Sequence, residues 1–347
     1  MKILSIIALS DDEQAKIRAI DPSIELTMAP GWFDGEFRDS WPAFCTESYL
    51  PPDAHGHGTR DERDALLAEA EIVFAGWPYP TDLRSRTPNL KWFHQQPAGA
   101  NNLIKSDLWR SDVIVTTSRG YGNTLGIAEF AIGGLLYFAK SAHFAVRDRA
   151  NGQFHKPDYT SLLLQDKTLC VIGAGGIGAH VGRLAAGLGM RAVGTKRQPN
   201  SDLPEGFAEI RPPDGLQELL SESHFVAVCC QWTPETDGIM DEAAFAAMKP
   251  DGVISNIARG EIVDEDAMLN ALDSGHLRGA ALDCYVGEFE HPPSERLWQH
   301  PKILITPHCS GKSDVSLRRH TDVFCKNLRA LLDGQPMINR IDWETGY

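Results

Sequence analysis

The sequence predicts an α/β protein built from two doubly wound parallel-sheet domains. Three observations carry that expectation. Short apolar runs alternate with amphipathic ones along the first 118 residues and again beyond residue 165. A glycine-rich turn joins a strand-like run to a helix-like one near residue 175. At 347 residues and 42% hydrophobic side chains, the chain has the make-up of a globular protein and exceeds one typical domain.

Taken in order, Ile3 to Leu9 is apolar but too short to span a membrane. Asp11, Asp12 and Glu13 follow it where a cleavable signal needs small residues, so it reads as a first buried strand. A polar helix near Asp11 to Ile20 and a strand in IELTM come next. Residues 29–59 break the alternation, being rich in Pro, Gly and aromatics (Trp32, Phe33, Phe37, Trp41, Phe44), and read as a long ordered excursion of lid or interface type. His55 and His57 have no third ligand in reach, so no metal is assigned. Thr59 to Ala70 reads as a capped helix leading into EIVFAG and then Trp77-Pro78. The strand LKWFHQQ ends at PAGANN, and VIVTTS closes the unit.

Asn123 to Arg147 reads as one long helix bridging the domains. Strand candidates are centred on residues 170, 193, 227, 254 and 281, with a sixth at Lys302 to Thr306. A last amphipathic helix, Asp314 to Leu332, should fold back onto the first domain.

The 33 basic against 47 acidic side chains give a net charge of −14, which repels nucleic acid and anionic membrane. A small anionic ligand therefore needs a local positive trap. Seven cysteines make an odd count with no C-x-x-C pair, which fits a reducing cytoplasm.

Gly173, Gly175 and Gly178 stand at G-x-G-x-x-G spacing after the buried run Leu169 to Ile172. The first glycine permits a tight turn, the second lets backbone approach a pyrophosphate, and the third lets helix pack on strand. Three ionisable residues follow later strand candidates: Arg259, Glu288 and His308. Carboxyl ends of neighbouring parallel strands share one crevice. An arginine there can fork two N–H bonds to a 2-oxo acid, and a histidine can move the proton. A carboxylate beside an imidazole favours its protonated form.

Several ordered stretches resemble one family. PAGANN, GAGGIG, TPETDGIMDEAAFAAMKPDGVISNIARGEIVDEDAM, GAALDCYVGE and LWQHPKILITPHCSG, from about Ala98 to Arg329, are similar to the D-isomer-specific 2-hydroxyacid dehydrogenases, which include glyoxylate/hydroxypyruvate reductases. The resemblance implies a Rossmann nucleotide-binding domain, 119–309, inserted in a flavodoxin-like substrate domain, 1–118 and 310–347, with the reaction in the cleft between. It makes Arg259 the substrate-binding arginine, His308 the acid/base and Glu288 its partner. Backbone amides of Ala98, Gly99 and Ala100 would hold the substrate carboxylate. Gly176 and Ile177 would contact pyrophosphate, while Cys230, Ile257, Ala258, Asp283 and Gly311 would line the cofactor with His308. Asp283 would stand near the nicotinamide amide. A homodimer through the nucleotide domain is typical of the family.

The chain also departs from the family pattern. Thr195, Lys196 and Arg197 stand where NAD-preferring members usually carry an aspartate. Two cations there can bind a 2′-phosphate, so NADP(H) is expected over NAD(H). Trp232 and Phe289 replace the usual leucine and proline. Trp77, with Trp92, Phe93 and the aromatics of residues 29–44, suggests an apolar wall for a bulky side chain. Two other readings stay open: a dinucleotide-sensing, corepressor-like protein, and a formate- or phosphite-type dehydrogenase. Glu288, where formate enzymes have glutamine, disfavours the formate variant.

Overall fold

Each strand of the first sheet is a four-residue run: β1 (Lys2–Ser5), β2 (Glu25–Met28), β3 (Ile72–Ala75), β4 (Trp92–Gln95) and β5 (Ile114–Thr117). They belong to a computed structural model describing residues 1–154, 156–199 and 202–344, so residues 345–347 of the expected first domain lie outside the described residues. The chain divides into two units, Met1–Asn123 with Ser313–Tyr347, and Thr124–Lys312.

In the first unit all five strands are parallel, in the order β2-β1-β3-β4-β5. Every residue of β3 and β4 is buried, as both-face cover demands of central parallel strands. Leu4, Val73, Phe93 and Val115 face a cluster with Phe33, Phe37, Trp41 and Tyr79. Ile3, Ile72, Phe74 and Trp92 face the other way, toward Phe324 and Leu328 of the helix Ser316–Leu332. Phe324 stacks on Phe74 at 4.4 Å and on Trp92 at 4.8 Å, so this helix covers the sheet through its aromatic face. Residues 29–59, the long ordered excursion, contain two short helices that no sequence period announces, Asp34–Ser40 and Ala43–Tyr49. Neither has a side-chain N-cap, and seven residues each are too few to display a period.

The second unit holds β6 (Thr168–Ile172), β7 (Arg191–Thr195), β8 (Phe207–Arg211), β9 (Phe225–Val228), β10 (Gly252–Asn256), β11 (Leu277–Leu282) and β12 (Ile303–Ile305). All are parallel, in the order β12-β11-β10-β9-β6-β7-β8. The edge strand β8, FAEIR, was not foreseen: a solvated Glu209–Arg211 ion pair stands where apolar alternation would have signalled a strand.

The single helix expected over Asn123 to Arg147 is two, Thr124–Ala139 and Ala142–Ala150, bent by 67°. The break has a cause. Arg278 donates to Phe138 O at 3.0 Å and to Ser141 Oγ at 3.1 Å, taking a carbonyl at the helix end, and Ser141 turns left-handed at φ 59°. Among the described residues no single helix is long and apolar enough to cross a membrane.

Candidate functional site

In a parallel sheet all carboxyl ends lie along one edge, and in the second unit the residues singled out by sequence follow those ends. Strand order reverses between β6 and β9, the switch point at which a ligand crevice forms. Gly173 comes directly after β6, at φ 94°, and a Cβ there would stand 2.7 Å from the Cys230 backbone. Its amide donates to Thr195 O at 3.2 Å, which ties the turn to the end of β7. A Cβ on Gly178 would meet Gly173 O at 2.2 Å, so only glycine lets the helix Gly176–Gly187 start this close to the strand. Gly175 is exposed, with open space where its Cβ would lie.

The amides of Gly176, Ile177 and Gly178, the first three of that helix, donate to no group among the described residues. Those orphan donors and the positive helix end suit a pyrophosphate. Beyond β7, Lys196 is half-buried and Arg197 exposed. Glu235, held below the usual carboxylate range chiefly by the Thr233 hydroxyl, also feels the Arg197 charge. No carboxylate occupies residues 195–199. Ile257 and Ala258 are buried after β10, Cys230 is partly buried after β9, and Gly311 is partly exposed beyond β12.

His308 and Glu288 are brought together: His308 Nδ1 lies 2.9 Å from Glu288 Oε1. The carboxylate side chain is 8% exposed and the imidazole 30%, so the pair is sheltered on the glutamate side and open on the histidine side. His308 has φ 47°, a left-handed backbone unusual outside glycine, which the surrounding loop must impose. Asp283 imposes it. At the end of β11 and 2% exposed, it accepts from Thr306 Oγ1 at 2.7 Å, Cys309 N at 2.8 Å and Ser310 N at 2.9 Å. Asp283 thus clamps the turn that carries the imidazole. The Phe289 ring lies 5.9 Å from the His308 ring.

Arg259 follows β10. A Cβ on Gly260 would stand 2.0 Å from the Tyr285 carbonyl carbon, so the turn bearing Arg259 is pressed against the loop bearing Glu288. Burial pushes the Cys284 thiol well up, with the Glu288 charge adding to the effect and that of Arg259 opposing it. Arg259 Nη1 donates to Ala258 O at 2.6 Å, while its Nε is buried with no hydrogen-bond partner among the described residues. A buried guanidinium donor in that state can take an incoming acceptor.

In the first unit, PAGANN follows β4. Gln95, fully buried, donates to Gly99 O at 2.6 Å and accepts from Asn102 Nδ2 at 2.8 Å. The Ala98, Gly99 and Ala100 amides donate to no group among the described residues. Trp77, half-buried, follows β3. Trp92 and Phe93 are fully buried core residues, which corrects their reading as pocket wall. His57 lies against Trp32, and the described residues include no group of three or more metal-ligating side chains.

Sequence reasoning missed Gln95 and Asn102 as holders of the loop and gave Asp283 a ligand-facing part only. A glutamine ending an otherwise aromatic strand, LKWFHQQ, was the available signal.

The family model for the D-isomer specific 2-hydroxyacid dehydrogenase NAD binding domain matches residues 132–310, just over half the chain. The chain belongs to that family. It is 30% identical over 264 residues to a D-3-phosphoglycerate dehydrogenase of Rattus norvegicus, covering 75% of this chain and 48% of the relative. It is 28% identical over 284 residues to a hydroxypyruvate reductase of Blautia hydrogenotrophica, covering 80% and 87%. The chain spans about half the length of the phosphoglycerate dehydrogenases it matches. Among solved structures, a D-isomer specific 2-hydroxyacid dehydrogenase from Xanthobacter autotrophicus Py2, in complex with NADPH and MES, is 25% identical with a TM-score of 0.75, covering 100% of this chain and 99% of that one.

Proposed function

We propose that the protein is a D-2-hydroxyacid dehydrogenase acting as a 2-oxo acid reductase, with NADP(H) preferred over NAD(H). The observation that carries this reading is the 2.9 Å His308–Glu288 contact, beside the sheet whose switch point bears the glycine turn. A reduced nicotinamide dinucleotide bound there supplies the hydride. Amides of Gly176, Ile177 and Gly178 would hold its pyrophosphate, Lys196 and Arg197 its 2′-phosphate.

The chain's own residues do the rest. Glu288 accepts from the Nδ1–H of His308, which fixes the ring and leaves Nε2 to carry the mobile proton. Arg259 presents its planar guanidinium fork to the acid's oxygens. The Ala98, Gly99 and Ala100 amides take the carboxylate. His308 Nε2 passes its proton to the substrate oxygen as that oxygen becomes a hydroxyl, and reclaims it in the reverse direction.

The same reading makes the chain a homodimer in a reducing cytoplasm, without nucleic acid or membrane partners. The exposed apolar side chains Val146, Phe154, Tyr159 and Leu163, close together in sequence, support a protein partner.

The test is consumption of NADPH and of NADH, followed by near-ultraviolet absorbance, with glyoxylate, hydroxypyruvate and pyruvate. NADPH should be the better donor. Changing Lys196 and Arg197 together to Ala should raise the KM for NADPH roughly tenfold to a hundredfold, the worth of one or two charged hydrogen bonds. Unaltered preference would remove the basic pair from cofactor choice. Binding of NADPH without consumption by any acid would favour the dinucleotide-sensing reading.

A further inference from the structure

We propose that the side chain of the oxo acid is apolar and aromatic-sized, and that it is received against the indole of Trp77. The inference rests on the reductase reading and adds the substrate class.

Placement comes first. The order β2-β1-β3-β4-β5 reverses between β1 and β3, and Trp77 stands two residues beyond β3, at the switch point of this sheet. The neighbouring strand β4 leads into the Ala98–Ala100 amides. Adjacent strands run about 4.8 Å apart. Here they stay close past their ends, since a Cβ on Gly76 would stand 3.2 Å from Gln96 Oε1. An acid with its carboxylate on those amides has its other substituent within reach of Trp77.

Chemistry comes second. Trp77 meets Trp41 at 5.0 Å and Tyr49 at 4.4 Å, both edge-to-face. Trp41 is itself anchored, its Nε1 donating to Tyr79 O at 3.0 Å. The half-buried indole, held edge-to-face by these two rings, therefore offers a largely apolar surface that needs little further ordering when a ligand arrives. Trp41, directly after the first short helix, and Tyr49, at the end of the second, belong to the excursion at residues 29–59, which gives that segment a purpose.

Charge comes third. A phosphate or second carboxylate on the substrate would need a cation beside the aromatic group. Arg38, the one basic residue of those two helices, donates to Ala54 O and Pro51 O. Nearby Arg60, Arg63 and Arg86 are engaged by Glu36, and Arg60 and Arg86 also by Asp64 and Asp82. The insertion thus offers rings and no uncommitted positive charge.

The experiment compares kcat/KM for glyoxylate, pyruvate, phenylpyruvate and phosphohydroxypyruvate in wild type, Trp77→Ala, Trp77→Phe and Tyr49→Ala. Wild type should favour phenylpyruvate over pyruvate and over the phosphorylated acid by roughly tenfold or more, as a filled apolar pocket does. The phenylpyruvate-to-glyoxylate ratio should fall about tenfold in Trp77→Ala, and less in Trp77→Phe. Should Trp77→Ala fail to fold, the ratio in Tyr49→Ala and Trp77→Phe decides. Preference for glyoxylate or the phosphorylated acid, or a ratio unmoved by these changes, overturns this inference alone. No turnover of any acid overturns the reductase reading and this inference with it.

Discussion

Arg259 has its Nε buried without a hydrogen-bond partner among the described residues, a state that suits an acceptor brought by the substrate. Arg259→Lys keeps the charge but loses the planar fork. We expect kcat/KM for the oxo acid to fall by roughly tenfold to a thousandfold, mostly through KM, with NADPH affinity little changed; steady-state kinetics beside a fluorescence titration reads both. Equal kinetics in the lysine variant would mean that the fork is not used. At this scale Arg259, Glu288 and His308 could be singled out without coordinates, from residue type at strand ends together with the family resemblance. What it could not show was how His308 is held. The three hydrogen bonds into Asp283 join residues more than 20 positions apart, and nothing local in GAALD announces them.

Elements were legible where the physics is local and hidden where it is not. The strands β6 and β9 are nearly continuous apolar runs, β7 and β10 have apolar centres, and both α/β sheets could be anticipated from the alternation of such runs with amphipathic ones. The edge strand β8 escaped because solvent replaces apolar partners on one side. The bend after Ala139 escaped because its cause, Arg278, lies some 140 residues further on. The start of the helix Gly176–Gly187 is the most exacting junction. Gly178→Ala would put a methyl 2.2 Å from Gly173 O, so strand or helix must move. Overpacking of this kind costs about 1–3 kcal/mol. The variant should show a lower urea midpoint and weaker dinucleotide binding, and wild-type values for both would show that the turn can relax.

For the whole molecule, buried imidazoles set the response to acid. His94 is fully buried on β4, with Nδ1 2.7 Å from Thr116 Oγ1 and Nε2 3.3 Å from Ser118 Oγ, and rings of Phe74, Trp92 and Phe324 around it. Burial pushes it from 6.5 down to about 3, with the His320 charge adding to the effect, and burial pushes His320 to about 4. In the other unit burial brings His143 to about 4. A histidine kept neutral by folding stabilises the native state above its unfolded value, and that stability is lost as pH falls through 6.5 toward the folded value. The urea midpoint should therefore drop between about pH 6.5 and 4, before most carboxylates titrate. His320→Asn should flatten the drop, and a midpoint constant over that interval would contradict it.

Two sheets of five and seven parallel strands, each with a switch point, leave the chain able to offer a glycine turn in one unit and a loop of bare amides in the other. The proton transfer proposed for His308 would give that architecture its function, and His308→Gln tests it most directly. The account predicts that NADPH still binds to the variant with wild-type affinity while kcat for oxo acid reduction falls by roughly 10²–10⁴. A variant that consumes NADPH at the wild-type rate would contradict it.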